Sequence, residues 1–364
     1  MITFRRKTTN GLFPFLWLII MLKKSFFCFF FLGSHIPLTG QPTATYTNPV
    51  SDSIFVADPF VLQHKGEYYL YGTSAEDGFR AWRSDNLVDW DTLGYVYRPS
   101  KNAWASGSFW APEVVHYRDK FYLIFSARGT HPDGLRICLA VSDSPTGPFK
   151  DRHVPLFDLG HSCIDGHLFM DDGTPYLYYE MVGAVGQPRT KNGYFWGMIF
   201  GVQLSDDLSR FVGGEPKLCV YPTQPWENPT GTLARSTEGM TVFKHDSTYY
   251  MTYSANHYTD PQYGVGYATA SHPLGPWTKS EANPILSQHP EAGVSGPGHS
   301  SIIRSPDEQE RFIVYHSHAD PKRPSPRRVL NIDRLVITPT GQLRVVGPTR
   351  SPQPVPSGAF AALK

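Results

Sequence analysis

The amino-acid sequence predicts an all-β fold, a five-bladed β-propeller in a single domain. Three observations lead to this prediction: one motif recurs along the chain, every copy carries a hairpin signal, and the copies begin roughly 50–70 residues apart, as expected for propeller blades of several strands each. The 32 Gly and 32 Pro residues fit a chain with many turns, and an aromatic fraction of 14% fits strands.

Each copy of the motif consists of a short strand, a turn and an aromatic strand. In the first copy, Asp58–Leu62 is followed by a turn at His64–Gly66 and then by Tyr68–Tyr71. Turn residues between two apolar runs indicate a β-hairpin. The first strands of the five copies begin at Asp58, at Glu113 or its neighbour Pro112, at Asp165, at Glu238 and at His299.

Two other all-β architectures fit the repeat less well. A β-helix has far shorter repeats, and a two-domain β-sandwich would not repeat its turns in this way. We therefore expect the propeller over residues 46–350, followed by a C-terminal tail over residues 351–364.

Residues 1–40 have the pattern of a signal peptide. Basic residues precede an apolar run at Leu12–Leu22, and two lysines precede a second run at Phe26–Leu32. Met21 with those lysines and the second run would form a complete signal, so Met21 is the alternative start. Because each run is shorter than the ~20 residues of a spanning helix, we expect a secreted or periplasmic protein with no stable membrane span after cleavage. A retained anchor is the second interpretation.

Charge and cysteine content exclude some partners. The formal net charge of +1 gives no electrostatic footprint for nucleic acid. The cysteines after the signal region are Cys138, Cys163 and Cys219, an odd number without the spacing of a metal motif. We expect them to be buried free thiols.

The propeller prediction brings distant acids together. The first strand of each blade lines the central channel, so the residues that begin these strands meet at one mouth. Asp58, Asp165 and Glu238 are expected there in one shared register. Clustered carboxylates repel each other, which raises the pKa of some and leaves others ionised. One protonated and one ionised carboxyl group are what hydrolysis of a glycosidic bond needs.

At this point the sequence resembles glycoside hydrolase family 43, five-bladed propeller enzymes that act on arabinose- and xylose-containing polysaccharides. The resemblance runs from about Asn48 to Gly341. The segments that carry it are Ala57-Asp58-Pro59, Phe109-Trp110-Ala111-Pro112-Glu113, Ile164-Asp165-Gly166, Thr237-Glu238-Gly239 and Gly296-Pro297-Gly298-His299.

The resemblance implies roles for the three acids. Asp58 matches the general base that activates water, Glu238 matches the general acid, and Asp165 matches the acid that tunes the pKa of the general acid and orients it. The family inverts the anomeric configuration, which needs the base and the acid to stand roughly 6.5–9.5 Å apart.

The resemblance also implies three further site residues and no cofactor for the chemistry. Trp110 is expected to line the sugar subsite, with blade packing as its alternative role. Arg328 is expected to reach the sugar, with the adjacent Arg327 as the other choice. His299 is expected near the channel axis, where it binds substrate or holds, through water, a structural Ca²⁺ ion.

We therefore expect an exported glycoside hydrolase of the α-L-arabinofuranosidase or arabinanase type, with a plant-type polysaccharide or oligosaccharide as substrate. The alternatives within the family are a β-xylosidase and a galactan- or galactofuranose-active enzyme. The alternatives outside it are a non-catalytic carbohydrate-binding propeller and a protein-interaction scaffold. Loops at Thr223–Leu233 and Asp320–Arg327 are expected to decide between exo and endo action.

Overall fold

The computed structural model describes residues 44–129, 134–184, 186–190, 192–193, 195–227 and 236–359. The predicted signal peptide over residues 1–40 lies outside these ranges. Among the described residues, the helices are two short 3-10 turns at Pro225–Glu227 and Pro290–Ala292, and no helix there is long and apolar enough to cross a membrane.

Twenty of the strands form five sheets of four strands each within the described ranges. The strands of the first sheet are β2 (Ala57–His64), β3 (Glu67–Thr73), β4 (Phe79–Ser84) and β5 (Asp91–Tyr97). Those of the second are β6 (Ala105–Tyr117), β7 (Lys120–Gly129), β8 (Leu135–Ser142) and β9 (Lys150–His153). Those of the third are β10 (Ser162–Asp171), β11 (Thr174–Val182), β12 (Met198–Leu204) and β13 (Phe211–Val220).

Two more four-stranded sheets and one small sheet complete the fold. The strands of the fourth sheet are β14 (Thr237–His245), β15 (Thr248–Ala255), β16 (Gly264–Ala270) and β17 (Thr278–Lys279). Those of the fifth are β18 (Gly298–Arg304), β19 (Arg311–His318), β20 (Arg328–Ile337) and β21 (Leu343–Val346). The small sheet pairs β1 (Thr45–Tyr46) with β22 (Gln353–Pro354).

Each four-stranded sheet is an antiparallel meander, with its strands in chain order. The hairpin between β2 and β3 turns through Lys65 and Gly66, whose φ angles of 53° and 83° are both positive. Two positive φ angles define the type I′ turn, which matches the right-handed twist of strand pairs. Asp172 and Gly173 repeat this geometry between β10 and β11. The predicted five-bladed all-β propeller is confirmed.

The buried core is divided among the interfaces between blades. Each of five apolar clusters contains residues from two neighbouring sheets, and the sheets pair as one with two, two with three, three with four, four with five and five with one. Phe79 of the first sheet, for example, packs against Phe125 of the second with ring centroids 5.3 Å apart. The blades therefore close into a ring, which holds the channel-lining strands in place.

Residues just before the first blade hold the last blade. Asn48 donates from its amide to the carbonyl of Ile332 at 2.8 Å, and its side-chain oxygen accepts from the Ile332 amide at 2.9 Å. The Tyr46 hydroxyl donates to the same carbonyl at 3.1 Å. Since a buried backbone group without a partner costs free energy, Asn48 satisfies both polar groups of this residue.

Candidate active site

A β-bulge recurs in the innermost strand of every blade. Pairing with the second strand skips two residues in each case, and the first skipped residue has a positive φ. These residues and their angles are Asp58 (52°), Ala111 (44°), Asp165 (56°), Gly239 (54°) and His299 (46°). Bulges re-aim side chains and are frequent beside active sites, and here each one turns the strand at the mouth of the channel.

This bulge corrects two positions of the predicted register. Asp58, Asp165 and His299 occupy equivalent places, but Glu238 lies one residue earlier, because Gly239 takes the left-handed conformation in that blade. In the second blade the equivalent place belongs to Ala111. Glu113 lies two residues further along the strand, where its carboxylate pairs with Nδ1 of His167 at 2.7 Å, and both side chains are buried.

A cavity of about 460 Å³ opens at these bulges. All of the predicted site residues line it, namely Asp58, Trp110, Asp165, Glu238, His299 and Arg328. Trp110 is 39% exposed, so its ring is available to a ligand rather than enclosed between blades. A mostly apolar concave site with a few convergent polar groups is the usual form of a ligand pocket.

Asp58 is surrounded by donors and positive charge. The Thr73 hydroxyl donates to its Oδ2 at 2.6 Å, and Nη1 of Arg328 lies 3.3 Å from its Oδ1. Burial by itself would raise the pKa of Asp58, but attraction by Arg328 and the histidines, together with the Thr73 hydrogen bond, outweighs burial and holds that pKa below its ordinary value. Asp58 is therefore ionised at neutral pH.

Two buried histidines lie beside Asp58. The Asp58 amide donates to Nδ1 of His316 at 3.0 Å, so this nitrogen carries no proton. Nδ1 of His299 lies 3.4 Å from Oδ1 of Asp58 and 3.8 Å from Oδ2 of Asp165. Burial lowers the pKa of both histidines, so Arg328 contributes more of the attraction on Asp58 than either histidine does.

Glu238 has the opposite environment. Burial raises its pKa to about 7, with a further rise from the charge of Asp58 and partial compensation from the Tyr263 hydrogen bond and from Arg328. The Tyr263 hydroxyl donates to Oε1 of Glu238 at 2.7 Å. A carboxyl group with this pKa holds a proton over part of the neutral range and can release it.

Asp165 lies in the same buried environment as Glu238 and is repelled by it. Burial and repulsion by Glu238 and Asp58 raise the pKa of Asp165 well above its ordinary value, against the hydrogen bond that the Gly239 amide donates to Oδ2 at 3.1 Å. Asp165 therefore stands where it can affect both the charge and the orientation of Glu238.

The two adjacent arginines both line the cavity but have different surroundings. Arg328 is about 10% exposed, contacts Asp58, and lies with its guanidinium 4.9 Å from the ring centre of Tyr258. Arg327 lies with its guanidinium 3.6 Å from the ring centre of Phe55 at the rim. The loop predicted at Asp320–Arg327 thus reaches the cavity, whereas residues 228–233 of the other predicted loop lie outside the described residues.

Several residues of the cavity carried no signal in the motif. Thr73, Glu180 and Tyr258 lie on second strands or loops, away from the strand starts that the repeat aligns. Glu180 was detectable in principle, because an acid after the aromatic run Tyr176–Tyr179 is costly to bury. Tyr263 and Ser236 had no such signal.

The described residues do not fit a directly bound calcium ion. Ca²⁺ takes 6–8 oxygen ligands, whereas Asp165, Glu238 and His299 offer two carboxylates and one imidazole within 4.8 Å of one another. The Gly239 amide and the Tyr263 hydroxyl already donate to these two carboxylates. The ion that His299 is predicted to hold through water stays a prediction.

Comparison with known proteins agrees with this geometry. The model of glycosyl hydrolases family 43 matches residues 46–343. The chain belongs to this family. A solved family 43 structure, described as a thermostable family-43 glycoside hydrolase, is 46% identical, with a TM-score of 0.80 over 86% of this chain and 99% of that one.

Curated family 43 relatives differ in the sugars that their names give. The β-D-galactofuranosidase xynD of Aspergillus niger is 27% identical over 83% of this chain and 85% of its own length. The extracellular exo-α-(1→5)-L-arabinofuranosidase of Streptomyces avermitilis is 27% identical over 78% of this chain. The match covers only 58% of that second relative.

Proposed function

We propose that the protein is an exported glycoside hydrolase of the α-L-arabinofuranosidase or arabinanase type, acting by an inverting single displacement. The observation that carries the proposal is the contrast between two carboxyl groups of one cavity: Asp58 is held ionised, while the pKa of Glu238 is raised to about 7. Pairs of acids whose pKa values are pushed apart are the mark of acid and base assignments.

In the proposed mechanism, a terminal or side-chain pentose enters the cavity with its anomeric carbon between the two acids. Asp58 takes a proton from a water molecule as that water attacks the anomeric carbon. Glu238 gives its proton to the departing oxygen, and the bond from the anomeric carbon to that oxygen breaks. Each step is general acid–base catalysis, which contributes about 10²–10⁴-fold to a rate.

The surrounding residues support these roles. Arg328 and Thr73 stabilise the negative charge of Asp58 before the reaction, and Tyr263 stabilises the negative charge that Glu238 acquires. Asp165, whose Oδ2 accepts from the amide of Gly239 next to Glu238, helps to hold that part of the strand in place. Trp110, with its exposed ring, offers a flat apolar surface to the sugar.

The leaving part of the substrate has a place beside the cavity. A second cavity, of about 630 Å³, shares Phe55, Thr73 and Trp110 with the first. A sugar chain that continues from the departing oxygen can lie there. Export is supported by relatives whose names include the word extracellular and by the predicted signal peptide.

The second candidate function is hydrolysis of galactofuranosides. It is favoured by the A. niger galactofuranosidase, since the match covers 85% of that relative. A non-catalytic binding propeller has less support, because a purely binding site does not need four acids, Asp58, Asp165, Glu180 and Glu238, along one cavity, where acids are costly to hold out of water.

A panel of nitrophenyl glycosides tests the proposal with purified protein. We expect turnover of the α-L-arabinofuranoside above that of the β-xyloside, the β-galactofuranoside and the β-galactopyranoside. Proton NMR of the first minutes of the reaction should show the β-anomer of arabinose first. Turnover of the galactofuranoside alone would select the second candidate, and no turnover of any glycoside or arabinan oligosaccharide would refute both.

A further inference from the structure

Four blades share a hydrogen bond that anchors the bulge of the next blade. In each of these blades, one residue of the second strand pairs with the residue just before the bulge. The side chain of that second-strand residue accepts a hydrogen bond from the backbone amide of the bulge residue in the next blade. The pairs are Thr73 with the Ala111 amide (2.9 Å), Ser126 with the Asp165 amide (2.9 Å), Ser254 with the His299 amide (2.7 Å) and His316 with the Asp58 amide (3.0 Å).

The third blade breaks this pattern with an acid. Glu180 pairs with Ile164, as Thr73 pairs with Ala57 in the first blade, so Glu180 holds the equivalent position. The next bulge amide, that of Gly239, donates instead to Oδ2 of Asp165. Unlike its equivalents in the other four blades, Glu180 therefore does not accept the hydrogen bond of the next bulge amide.

Glu180 is enclosed at the wall of the catalytic cavity. Its side chain is only 1% exposed, and its Oε2 has no hydrogen-bond partner among the described residues. A charged carboxylate in this place would be costly. Burial, reinforced by repulsion from Glu238 and Asp165, raises the pKa of Glu180 well above its ordinary value.

A glycine makes room for this arrangement. A Cβ atom on Gly197 would stand 1.6 Å from Oε1 of Glu180 and 2.4 Å from Oγ of Ser236. No side chain larger than hydrogen fits there unless both groups move. The close approach of Glu180 and Ser236 thus depends on this residue.

Ser236 connects Glu180 to the general acid. Its hydroxyl donates to Oε1 of Glu180 at 2.9 Å, and hydrogen bonding by the same hydroxyl lowers the pKa of Glu238. A serine has a single O–H to donate. Glu180 therefore holds the one hydroxyl that also acts on Glu238.

We propose that Glu180 is a positioning residue for Glu238 and acts through Ser236. It does so at the junction of the third and fourth blades, where the second-strand side chain does not bind the next bulge amide. The proposal rests on the proposed role of Glu238 as general acid. Glu180 holds the Ser236 side chain in place, so Ser236 can turn its proton to Glu238 when Glu238 becomes charged. Hydrogen bonds to a charged acceptor are roughly twice as strong as neutral ones. The hydrogen bond from Ser236 therefore stabilises the negative charge that Glu238 develops in the transition state.

The test uses substrates that differ in their need for a general acid. A dinitrophenyl arabinofuranoside has a leaving group that departs without protonation, whereas an arabinan oligosaccharide does not. Glu180→Ala should lower kcat on the oligosaccharide by about 10-fold, a fraction of the 10²–10⁴-fold that general acids supply, and lower kcat on the dinitrophenyl glycoside much less. Ser236→Ala should likewise lower kcat more on the oligosaccharide than on the dinitrophenyl glycoside. Gly197→Ala, which displaces both Glu180 and Ser236, should have a similar effect.

Conservative and control variants separate positioning from structure. Glu180→Gln, which is neutral and can still accept from Ser236, should recover most of the loss on the oligosaccharide. Glu227 is an equally buried acid outside the cavity, where it accepts from the Tyr253 hydroxyl at 2.8 Å. Glu227→Gln should lower the unfolding temperature without changing the ratio of the two activities.

The outcomes are distinct. Equal loss on both substrates, or no loss, in folded Glu180→Ala would overturn the inference. If that variant does not fold, Ser236→Ala alone decides by the same criterion. If the wild-type protein hydrolyses neither substrate, the proposed function fails instead, whereas an active wild-type with an unchanged ratio in the variants refutes only the role of Glu180.

Discussion

Replacement of Arg328 by methionine should move the acidic limb of the pH–rate profile. Arg328 lies 3.3 Å from Asp58, and both side chains are about 10% exposed. At an effective dielectric constant of about 20, two unit charges ~4 Å apart attract by about 4 kcal/mol. Since one pKa unit corresponds to about 1.4 kcal/mol, loss of the pair raises the pKa of Asp58 by at most about 3 units.

The sign of the effect follows from the role of Asp58 as base. A base works only when ionised, so raising its pKa shifts the acidic limb of kcat/KM, which reports the free enzyme, to higher pH. Water that enters the vacated space will reduce the shift, and we expect at least ~1 unit. The assay is kcat/KM for a nitrophenyl arabinofuranoside from pH 3 to pH 9.

Arg327→Met is the matched control for this experiment. Arg327 packs over Phe55 at the rim and makes no ion pair with Asp58, so its loss can weaken substrate binding but should leave the acidic limb in place. An unmoved limb in Arg328→Met, or an equal shift in both variants, would refute the assignment of Arg328 as the charge that keeps Asp58 ionised.

Three further predictions follow from single contacts. Tyr263→Phe removes a hydrogen bond that lowers the pKa of Glu238, so the alkaline limb of kcat/KM should move above pH 7, and a shift to lower pH would contradict this. Asn48→Ala leaves the Ile332 amide without its side-chain partner and removes one of the two side-chain donors to the Ile332 carbonyl, and it should cost about 1–3 kcal/mol in urea-induced unfolding, with kcat unchanged. Removal of metal with EDTA should leave kcat unchanged, while a calcium-dependent rise in unfolding temperature that is absent in His299→Ala would support the predicted hydrated ion.

The repeat made the fold and most of the candidate site predictable. A motif that recurs at the blade period places its first residues at one mouth, which is why Asp58, Asp165 and His299 could be grouped from the sequence. The same reasoning misjudged Glu238 and Glu113 by one or two residues. A bulge adds residues to one strand only, and the sequence does not show where the extra residues fall.

Other features were beyond the reach of the pattern. A shift of one residue along a strand reverses the side that a side chain faces. The sequence does not show that β20 begins at Arg328, so it could not distinguish Arg327 from Arg328 as the arginine beside Asp58. Glu180 lines the cavity from the second strand of its blade, and Tyr263 reaches Glu238 from the loop before β16. Their positions depend on how the blades pack, which the short-range signals of hairpins and turns do not report.

The most direct test of the central claim is a comparison of Asp58→Asn and Glu238→Gln on substrates with good and poor leaving groups. The account predicts that both variants fold, that Asp58→Asn loses at least ~10²-fold in kcat on every substrate, and that Glu238→Gln loses as much on arabinan oligosaccharides but keeps most turnover of a dinitrophenyl arabinofuranoside. Wild-type-like turnover of the oligosaccharide by either variant, or the reverse pattern of leaving-group dependence, would contradict the assignment of Asp58 as base and Glu238 as acid.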